Sequence, residues 1–554
     1  MAPLNIFIGG EDFRRLREEN RYYVDKTGLI EELLTPSMPL VSLITRPRRF
    51  GKTLMMSMLQ EFFDINKDSR QLFEGLAVSK NAMLCEEWMN KYPTLFLTLK
   101  NVEGSNFNEA LIFYRELVVS LCSANRCVLK NKNVSDEDKE LLRRVMARKA
   151  EVAELANVLQ VLCRALEAHY GKPVILLIDE YDVPINYAEQ NGYYKEMIGF
   201  MRNLLGAALK SNPSLKFAVL TGCLRIAKES IFTGLNNFKC YGVSDALYAD
   251  KFGFTGAEVD RMLNDAGLSD KKPLLKEWYD GYWFGKEREM YCPWDILQYV
   301  YDIQIDPDIK PQAYWNNTSG NAIVKTLIAQ ASPEIRQKVE DLIDGKAIEE
   351  KLAEDLTYDL VYQNESNIWS MMYLTGYLTK APAQPDNDST ALVIPNKEVR
   401  KIFTDTVSEW FNASLKTRDL PVFINAAWNG DAAAMQHMMT DILYDTISYH
   451  DSKESFYHGF LTGLIRGAGM AIKSNREQGL GRTDIVIEDG RNKRALIFEI
   501  KIAGKYELLE QKADEALAQI EDRKYASGLS PHIKTACKYG IAFWEKECCV
   551  KLAK

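Results

Sequence analysis

Three apolar runs in the first half of the chain lack the polar alternation of a half-exposed strand and read as strands buried on both faces. The first runs into Leu43-Ile44-Thr45, the second is Pro173-Val-Ile-Leu-Leu-Ile178, and the third spans Leu215 to Leu220. Between the first two, Asn108 to Cys127 and Asp136 to Tyr170 show helical periodicity with many charges, as crossover segments do. Asp136 to Arg148 reads as an exposed helix within that stretch. Near the N-terminus, Tyr23-Val-Asp25-Lys-Thr27 reads locally as a strand end with an N-cap at Thr27 and a helix through Leu34.

The second half is patterned differently. Phe252-Gly-Phe-Thr255 leads into a helix carrying Glu258, Met262 and Leu263, and the aromatic cluster from Trp278 to Phe284 reads mainly as core. This region predicts a small helical lid. Met371 to Lys380 and Ala391 to Ile394 predict two strands around the polar loop Pro382 to Asp388, followed by a helix from Asn396 to Phe411, a winged-helix-like arrangement. Pro421 and Gly430 punctuate the stretch Asn412 to Asn429, which reads as a linker. Further on, Thr483 to Ile487 and Ala495 to Lys501 alternate as a hairpin around the turn Glu488 to Arg494. Glu454 precedes a helical stripe of Tyr457, Phe460, Leu461 and Leu464, and an amphipathic helix from Leu508 to Ile520 carries Gln519, with Tyr525 just beyond.

Chemistry gathers at the ends of these elements. The first strand runs through Arg46-Pro-Arg48-Arg49-Phe50 into Gly51-Lys52-Thr53 and a helix, the ending of a Walker A phosphate loop. Glycine admits phosphate to the backbone N–H groups, lysine supplies a charge to the β and γ phosphates, and threonine can ligate Mg²⁺. The general motif has glycine where Arg46 stands, and Gly-Lys-Thr alone also reads as a loop capping a helix. The second strand ends in Asp179-Glu180, a Walker B pattern: Asp179 to hold the Mg²⁺ shell, Glu180 to orient or deprotonate water. Thr221, after the third strand, is a sensor candidate between them, and Arg225 a phosphate-facing cation; turn chemistry is the competing reading for both.

The hairpin near the C-terminus carries a second constellation. Period two puts Glu499 and Lys501 on one face and Leu496, Phe498 and Ile500 on the other. Asp484 beside Glu499 and Lys501 makes a compact site for a hard divalent cation with a lysine next to it, and Glu454 can add a carboxylate. A surface hairpin with cross-strand ion pairs is the competing reading. A helix with Glu, then Asp, then Glu-x-Lys, then a helix with Gln resembles the core of the PD-(D/E)xK nuclease superfamily. That resemblance implies metal ligation by Asp484 and Glu499, assisted by Glu454, with Lys501 positioning the water or stabilising the transition state.

Nearly end to end, the chain resembles the bacterial AAA-ATPase-like proteins fused to a PD-(D/E)xK nuclease-like domain. The residues that carry this are Tyr22 to Thr27, Arg46 to Thr53, Asp179 to Asp182, Ser230 to Asn237, Trp278 to Tyr282 and the Glu-x-Lys hairpin. Within that family the arginine-rich loop replaces the glycine-rich half of Walker A, so Arg46, Arg49 and Phe50 join Gly51, Lys52 and Thr53 as expected nucleotide contacts. Cys292 departs from the asparagine expected before Pro293-Trp294. The resemblance implies an α/β fold with an AAA-like P-loop NTPase sheet over 1–250, a helical lid and winged-helix-like region over 251–415, and a restriction-endonuclease-like domain over 430–554. It implies ATP and Mg²⁺, with Mn²⁺ an alternative at the nuclease site. For the run Tyr23 to Thr27 it implies a wall of the adenine pocket instead of the local reading as a strand end and helix cap. The expected function is an ATPase controlling a nuclease on nucleic acid, DNA by preference; the alternative is a nucleotide-switched binding or signalling ATPase whose nuclease-like domain does not cut. A homo-oligomer is a further expectation, because many ATPases of this type complete sites across subunits.

Bulk properties narrow the rest. A chain of 554 residues exceeds what one core supports, so two to four domains are expected. The ten cysteines show no Cys-x-x-Cys spacing and there are only five histidines, which argues against a zinc site or a secreted disulfide framework. The first residues lack a signal pattern and no apolar run approaches membrane-spanning length, so a cytoplasmic protein is expected. A net charge of −8 argues against a nonspecific DNA coat. From Asp441 onward, however, 18 Lys and Arg face 17 Asp and Glu, the less repulsive end of the molecule.

Overall fold

In the computed structural model the three buried runs become the centre of a five-stranded, all-parallel sheet. The structure describes residues 3–553 except 211, 226–230, 232–237, 316–323, 326–332, 354–355, 357, 362–363, 417–419, 446–453, 468–469, 471–472, 475–476, 479–480, 483–484, 524 and 526–528. The strands are β1 (Val41–Thr45), β2 (Thr94–Thr98), β3 (Val174–Asp179), β4 (Leu215–Gly222) and β5 (Phe238–Tyr241), in the order β2-β3-β4-β1-β5. Every residue of β1 and β3 is buried, as continuous apolar runs require in a sheet covered on both faces. The order places β4 between β1 and β3, with Ile44 opposite Thr221 and Ile178 opposite Leu220. The ends of the Walker A, Walker B and sensor strands therefore lie side by side.

The crossover from β2 to β3 is made by helices Phe107–Ala124, Asp136–Met146 and Val152–Tyr170. The last has a reciprocal capping box between Glu151 and Glu154 and ends at Gly171 in the left-handed conformation, two terminators that fix its length. The chain divides into two compact units, residues 1–320 with 349–400, and residues 321–348 with 401–554.

Within the first unit, the region after β5 contains helices Gly256–Ala266, Lys272–Tyr279 and Pro293–Ile305 beside a small antiparallel sheet of Phe254–Thr255, Tyr282–Phe284 and Glu287–Tyr291. Thr255 and Glu258 form the capping box of its first helix, and Tyr279, Tyr282 and Phe284 are core. The winged-helix expectation needs correction at one point: Met371 to Leu374 belong to the helix Glu365–Leu374, and of the stretch Met371 to Lys380 only Thr379–Lys380 is strand, pairing with Thr390–Val393. Asn364 caps that helix, Trp369, Met372 and Tyr373 bury one face, and Gly376 at φ +88° stops it.

In the second unit, the stretch expected as a linker is largely helix: Lys397–Lys416 runs into it, and Leu420–Asn429 follows with Phe423 and Ala427 buried. A mixed sheet is ordered Lys473–Ser474, Ile485–Asp489, Arg494–Ile502, Thr535–Trp544, Glu547–Leu552. Leu496, Phe498 and Ile500 pack on one face with Phe460, Leu461 and Leu464 of the helix Glu454–Gly467. Ile497 faces the other way, with Ile520 and Tyr525.

Candidate functional site: a phosphate loop and a carboxylate hairpin

The phosphate loop is shaped by two left-handed residues. Arg49 at φ +70° and Gly51 at φ +83° turn the chain from β1 into the helix Lys52–Phe63, whose free N–H groups and positive dipole end open at the turn. A Cβ on Gly51 would meet no atom within 4 Å, so the glycine answers to backbone conformation and to the space an approaching ligand needs. Lys52 is buried; its Nζ donates to the carbonyls of Arg46 at 3.1 Å and Pro47 at 3.0 Å and lies 3.8 Å from Glu180. Burial works against its charge, but Glu180, Asp182 and Asp179 are among the negative groups that more than offset this and hold the ammonium above the usual lysine range.

Asp179 joins the three strand ends. Its Oδ2 accepts from Thr53 Oγ1 at 2.8 Å, and its Oδ1 accepts from Thr221 Oγ1. Burial raises its pKa, and the two threonine hydroxyls counter that shift. Glu180 follows at φ +53°, a strained backbone for a non-glycine residue, half-buried and pointing into the same space as Lys52. Next in the chain, Tyr181 donates to Leu224 O at 2.6 Å, and Asp182 Oδ2 accepts from the N–H groups of Cys223 at 2.9 Å and Leu224 at 3.0 Å. A Cβ on Gly222 would come within 2.6 Å of the Tyr181 ring, so glycine after Thr221 lets the Walker B and sensor segments touch.

Arg49, Gly51, Lys52, Thr53 and Glu180 open onto a cleft of about 570 Å³, a volume suited to a nucleotide. Arg48, Gly51, Lys52, Thr53 and Glu180 form its polar part; Phe7, Tyr22, Tyr23, Pro293, Trp294 and Leu297 form an aromatic and apolar part. Arg49 stacks on the Trp294 ring at 4.0 Å. Phe50 also reaches the cleft but is mainly core, edge-on to Tyr282 at 5.1 Å.

Arg46 is placed otherwise than the sequence suggests. Its guanidinium is fully buried and turned away from the cleft, donating to the carbonyls of Thr45, Tyr241, Gly242 and Tyr248 and lying over Phe252 and Phe284. Burial pulls its pKa down to about 10. It acts as a clamp between β1 and the segment after β5. Asp179, Thr221 and Arg225 do not line the cleft either; Asp179 lies fully buried behind Thr53, and Thr221 is joined to the cleft only through that Asp179–Thr53 link.

The N-terminal Tyr-Val-Asp-Lys-Thr run lines the cleft and leads into the helix Gly28–Leu33, but it is not a strand, and the Thr27 side chain does not cap that helix. Tyr23, Val24 and Lys26 line the cleft, while Asp25 and Thr27 accept the N–H groups of Ala77 and Val78. Lys26 is buried against Glu258 at 2.6 Å. Local pattern does not mark Trp294, Pro293, Arg48 and Tyr187 as cleft residues. Their positions depend on long-range packing, although the arginine run itself is a usable signal for Arg48.

In the C-terminal domain, Glu499 lies on the strand Arg494–Ile502, directly opposite Gly540 on the parallel neighbour Thr535–Trp544. A Cβ on Gly540 would approach the Ala513 carbonyl to 2.2 Å, so this glycine lets the helix Leu509–Asp522 lie close on the sheet. That approach brings Gln519 Nε2 to Glu499 Oε1 and, at 3.2 Å, to Tyr525 Oη. Glu499 is 2% exposed and Lys501 Nζ is 3.8 Å from it. Strand alternation puts Glu499 and Lys501 on one face, and the structure brings them together with Gln519. Asp484 and the side chain of Glu454 lie outside the described residues. Among the described residues no cluster of three or more His, Cys, Asp or Glu is present that could hold a metal ion, and no helix is long and apolar enough to cross a membrane.

Residues 7–232 match the family model described as "Predicted AAA-ATPase", and residues 452–552 match that of the PD-(D/E)XK nuclease superfamily. A protein of Azotobacter chroococcum mcd 1, described as an uncharacterized protein in the vnfD 5′ region, is 26% identical over 547 residues, covering 95% of this chain and 94% of its own length. The chain carries an AAA-ATPase-like domain and a C-terminal PD-(D/E)XK nuclease superfamily domain.

Proposed function

We propose that this protein binds and hydrolyses ATP at the cleft beside β1, β3 and β4, and that its nucleotide state controls metal-dependent cleavage of nucleic acid, DNA by preference, by the C-terminal domain. The observation that carries the reading is the meeting of Thr53, Asp179 and Thr221 beside Lys52 and Glu180. Thr53 and Asp179 present hard oxygen donors to one point, a donor set that fits Mg²⁺. That ion, when bound, would neutralise charge on the β and γ phosphates.

In this reading Lys52 exchanges the carbonyls of Arg46 and Pro47 for phosphate oxygens. Glu180 orients the attacking water and accepts its proton. Thr221 fixes the Asp179 carboxylate from the far side. The phosphates rest on the N-terminus of the helix Lys52–Phe63, and the base lies toward Trp294.

At the second site, Glu499 would share a divalent cation with Asp484, assisted by Glu454. The carboxylate oxygens of Glu499 suit a hard cation, and Lys501 beside it suits a group that steadies negative charge on a scissile phosphate. Gln519 fixes the Glu499 rotamer. Both sites occur in one chain, which supports nucleotide as the switch.

The test is cleavage of linear, nicked and supercoiled DNA with Mg²⁺ or Mn²⁺, with and without ATP, for wild type, Lys52→Ala and Asp484→Ala. ATP-dependent cutting abolished in both variants supports the reading. No cutting of any substrate by a protein with intact ATPase activity assigns the C-terminal domain to binding instead.

A further inference from the structure

The phosphate loop holds three arginines, and the structure gives each a different surrounding. Arg46 faces inward, and both of its terminal nitrogens donate to backbone carbonyls. Arg49 is committed to the face of Trp294. Arg48 remains solvent-accessible, lines the cleft with Gly51, Lys52, Thr53 and Glu180, and is held by no hydrogen bond or ion pair among the described residues. Glu180, Asp182, Cys223 and Tyr358 are the titratable groups that act on it, which places it on the Walker B side of the cleft. It also acts on Tyr187, which lines the cleft from the helix Val183–Gln190 that follows the Walker B strand.

We propose that Arg48 is an arginine finger supplied in cis by the phosphate loop itself, binding the γ-phosphate and stabilising the charge that spreads over its oxygens during hydrolysis. This rests on the nucleotide reading of the same cleft. Arg48 lies two residues past Arg46, on the arch that a Walker A loop throws over the β and γ phosphates before its helix begins. A guanidinium there has the planar fork that matches phosphate oxygens, on a main chain fixed at both ends by the buried Arg46 and by Gly51. The neighbouring Glu180 is the group proposed to orient water, so the finger and the water-positioning carboxylate face one reacting phosphorus.

The step balances without any covalent change at Arg48. The water oxygen forms a bond to the γ-phosphorus as the bond to the bridging oxygen breaks. ADP leaves with that electron pair, and the water proton passes to Glu180 and then to solvent. The products are ADP and inorganic phosphate. A finger built into the loop also makes hydrolysis independent of a neighbouring subunit's arginine, so the turnover per chain should not rise with protein concentration.

The test compares the full-length wild type with Arg48→Ala and Arg48→Lys. A guanidinium acting chiefly in the transition state predicts a fall in kcat of about 10³-fold in Arg48→Ala. ATP affinity, read with a fluorescent ATP analogue, should stay within about threefold in the same variant, because the charge it serves is mostly developed later. Wild type should trap Mg–ADP with aluminium fluoride while Arg48→Ala binds Mg–ADP alone, and free guanidinium should restore part of the missing rate. Arg48→Lys, keeping the charge without the fork, should fall between. Retained ATP binding by Arg48→Ala certifies its fold. Hydrolysis at the wild-type rate by Arg48→Ala overturns the proposal while leaving the nucleotide site standing, as does a fall in rate matched by an equal fall in ATP affinity. Failure of wild type to bind ATP at all overturns both.

Discussion

Thr53, the first threonine after the phosphate loop, donates its hydroxyl to Asp179 at the end of β3 across a distance of 2.8 Å. That bond ties the phosphate loop directly to the Walker B strand. The same carboxylate takes the hydroxyl of Thr221 from β4, so one buried acid reads three chain segments far apart in sequence. Asp179→Asn keeps the shape but removes the charge a divalent cation requires. ATP hydrolysis should fall at least about 100-fold, and the dependence of ATP affinity on Mg²⁺ should disappear in a titration of the purified variant.

Lys52→Ala should weaken ATP binding by roughly 2–3 kcal/mol, the range expected when a charge-assisted hydrogen bond is removed from a buried setting. Calorimetric or fluorescence titration with a nonhydrolysable ATP analogue checks this. Stability should fall as well, because the substitution strands two buried carbonyls and removes the cation that offsets Glu180, Asp182 and Asp179.

Arg46 predicts the opposite pattern. Arg46→Ala strands several buried carbonyls at once and should cost about 3 kcal/mol or more in stability, seen as a lowered unfolding midpoint. Arg46→Lys should rescue little of it, because a single ammonium cannot reproduce the fork. A phosphate-binding role would instead show as weakened affinity with an unchanged midpoint.

Much of this is legible in the chain, and the exceptions have physical causes. β1 and β3 are readable because strands covered on both faces must be apolar throughout, and the Glu499/Lys501 face because strand side chains alternate. Arg46 departs from its motif because a motif fixes where a residue sits in the chain but not which way its side chain turns; four carbonyls supplied from Thr45 and from residues 241–248 decide that. Met371 to Leu374 mimic a strand in composition, yet the Asn364 cap and a buried Trp369 make them helical. Trp294 cannot be placed in the cleft from local pattern, because its partner Arg49 is hundreds of residues away in sequence.

A buried acid pair gives a pH prediction. Asp295 and Glu398 lie together near Arg49, with the Trp315 N–H donating to Glu398 Oε1 at 2.7 Å. Burial pushes Asp295 up to about 6, and burial with the charge of Asp295 pushes Glu398 up to about 10. Both folded pKa values stand above those of the unfolded chain, so their contribution is full below about pH 4 and is lost as pH rises, by at most about 1.4 kcal/mol per unit for each ionisation. Glu398→Gln should therefore flatten the decline of the unfolding midpoint between pH 5 and pH 9, compared in parallel thermal scans at about those values.

Gly540→Ala should destabilise the C-terminal domain by about 2 kcal/mol or more, because its Cβ would collide with the Ala513 carbonyl. The helix Leu509–Asp522 must then shift, taking Gln519 from Glu499. The check is a lowered midpoint for the C-terminal unfolding transition, together with ATP hydrolysis at the wild-type rate.

The central claim is that nucleotide at one end of the chain controls cutting at the other. Its most direct measurement is the rate of DNA cleavage by wild type and Lys52→Ala, each with Mg²⁺ and with or without ATP, with Asp484→Ala as the site control. ATP-stimulated cleavage by wild type and none by either variant is the expected result. Equal cleavage by wild type and Lys52→Ala, indifferent to ATP, would contradict it.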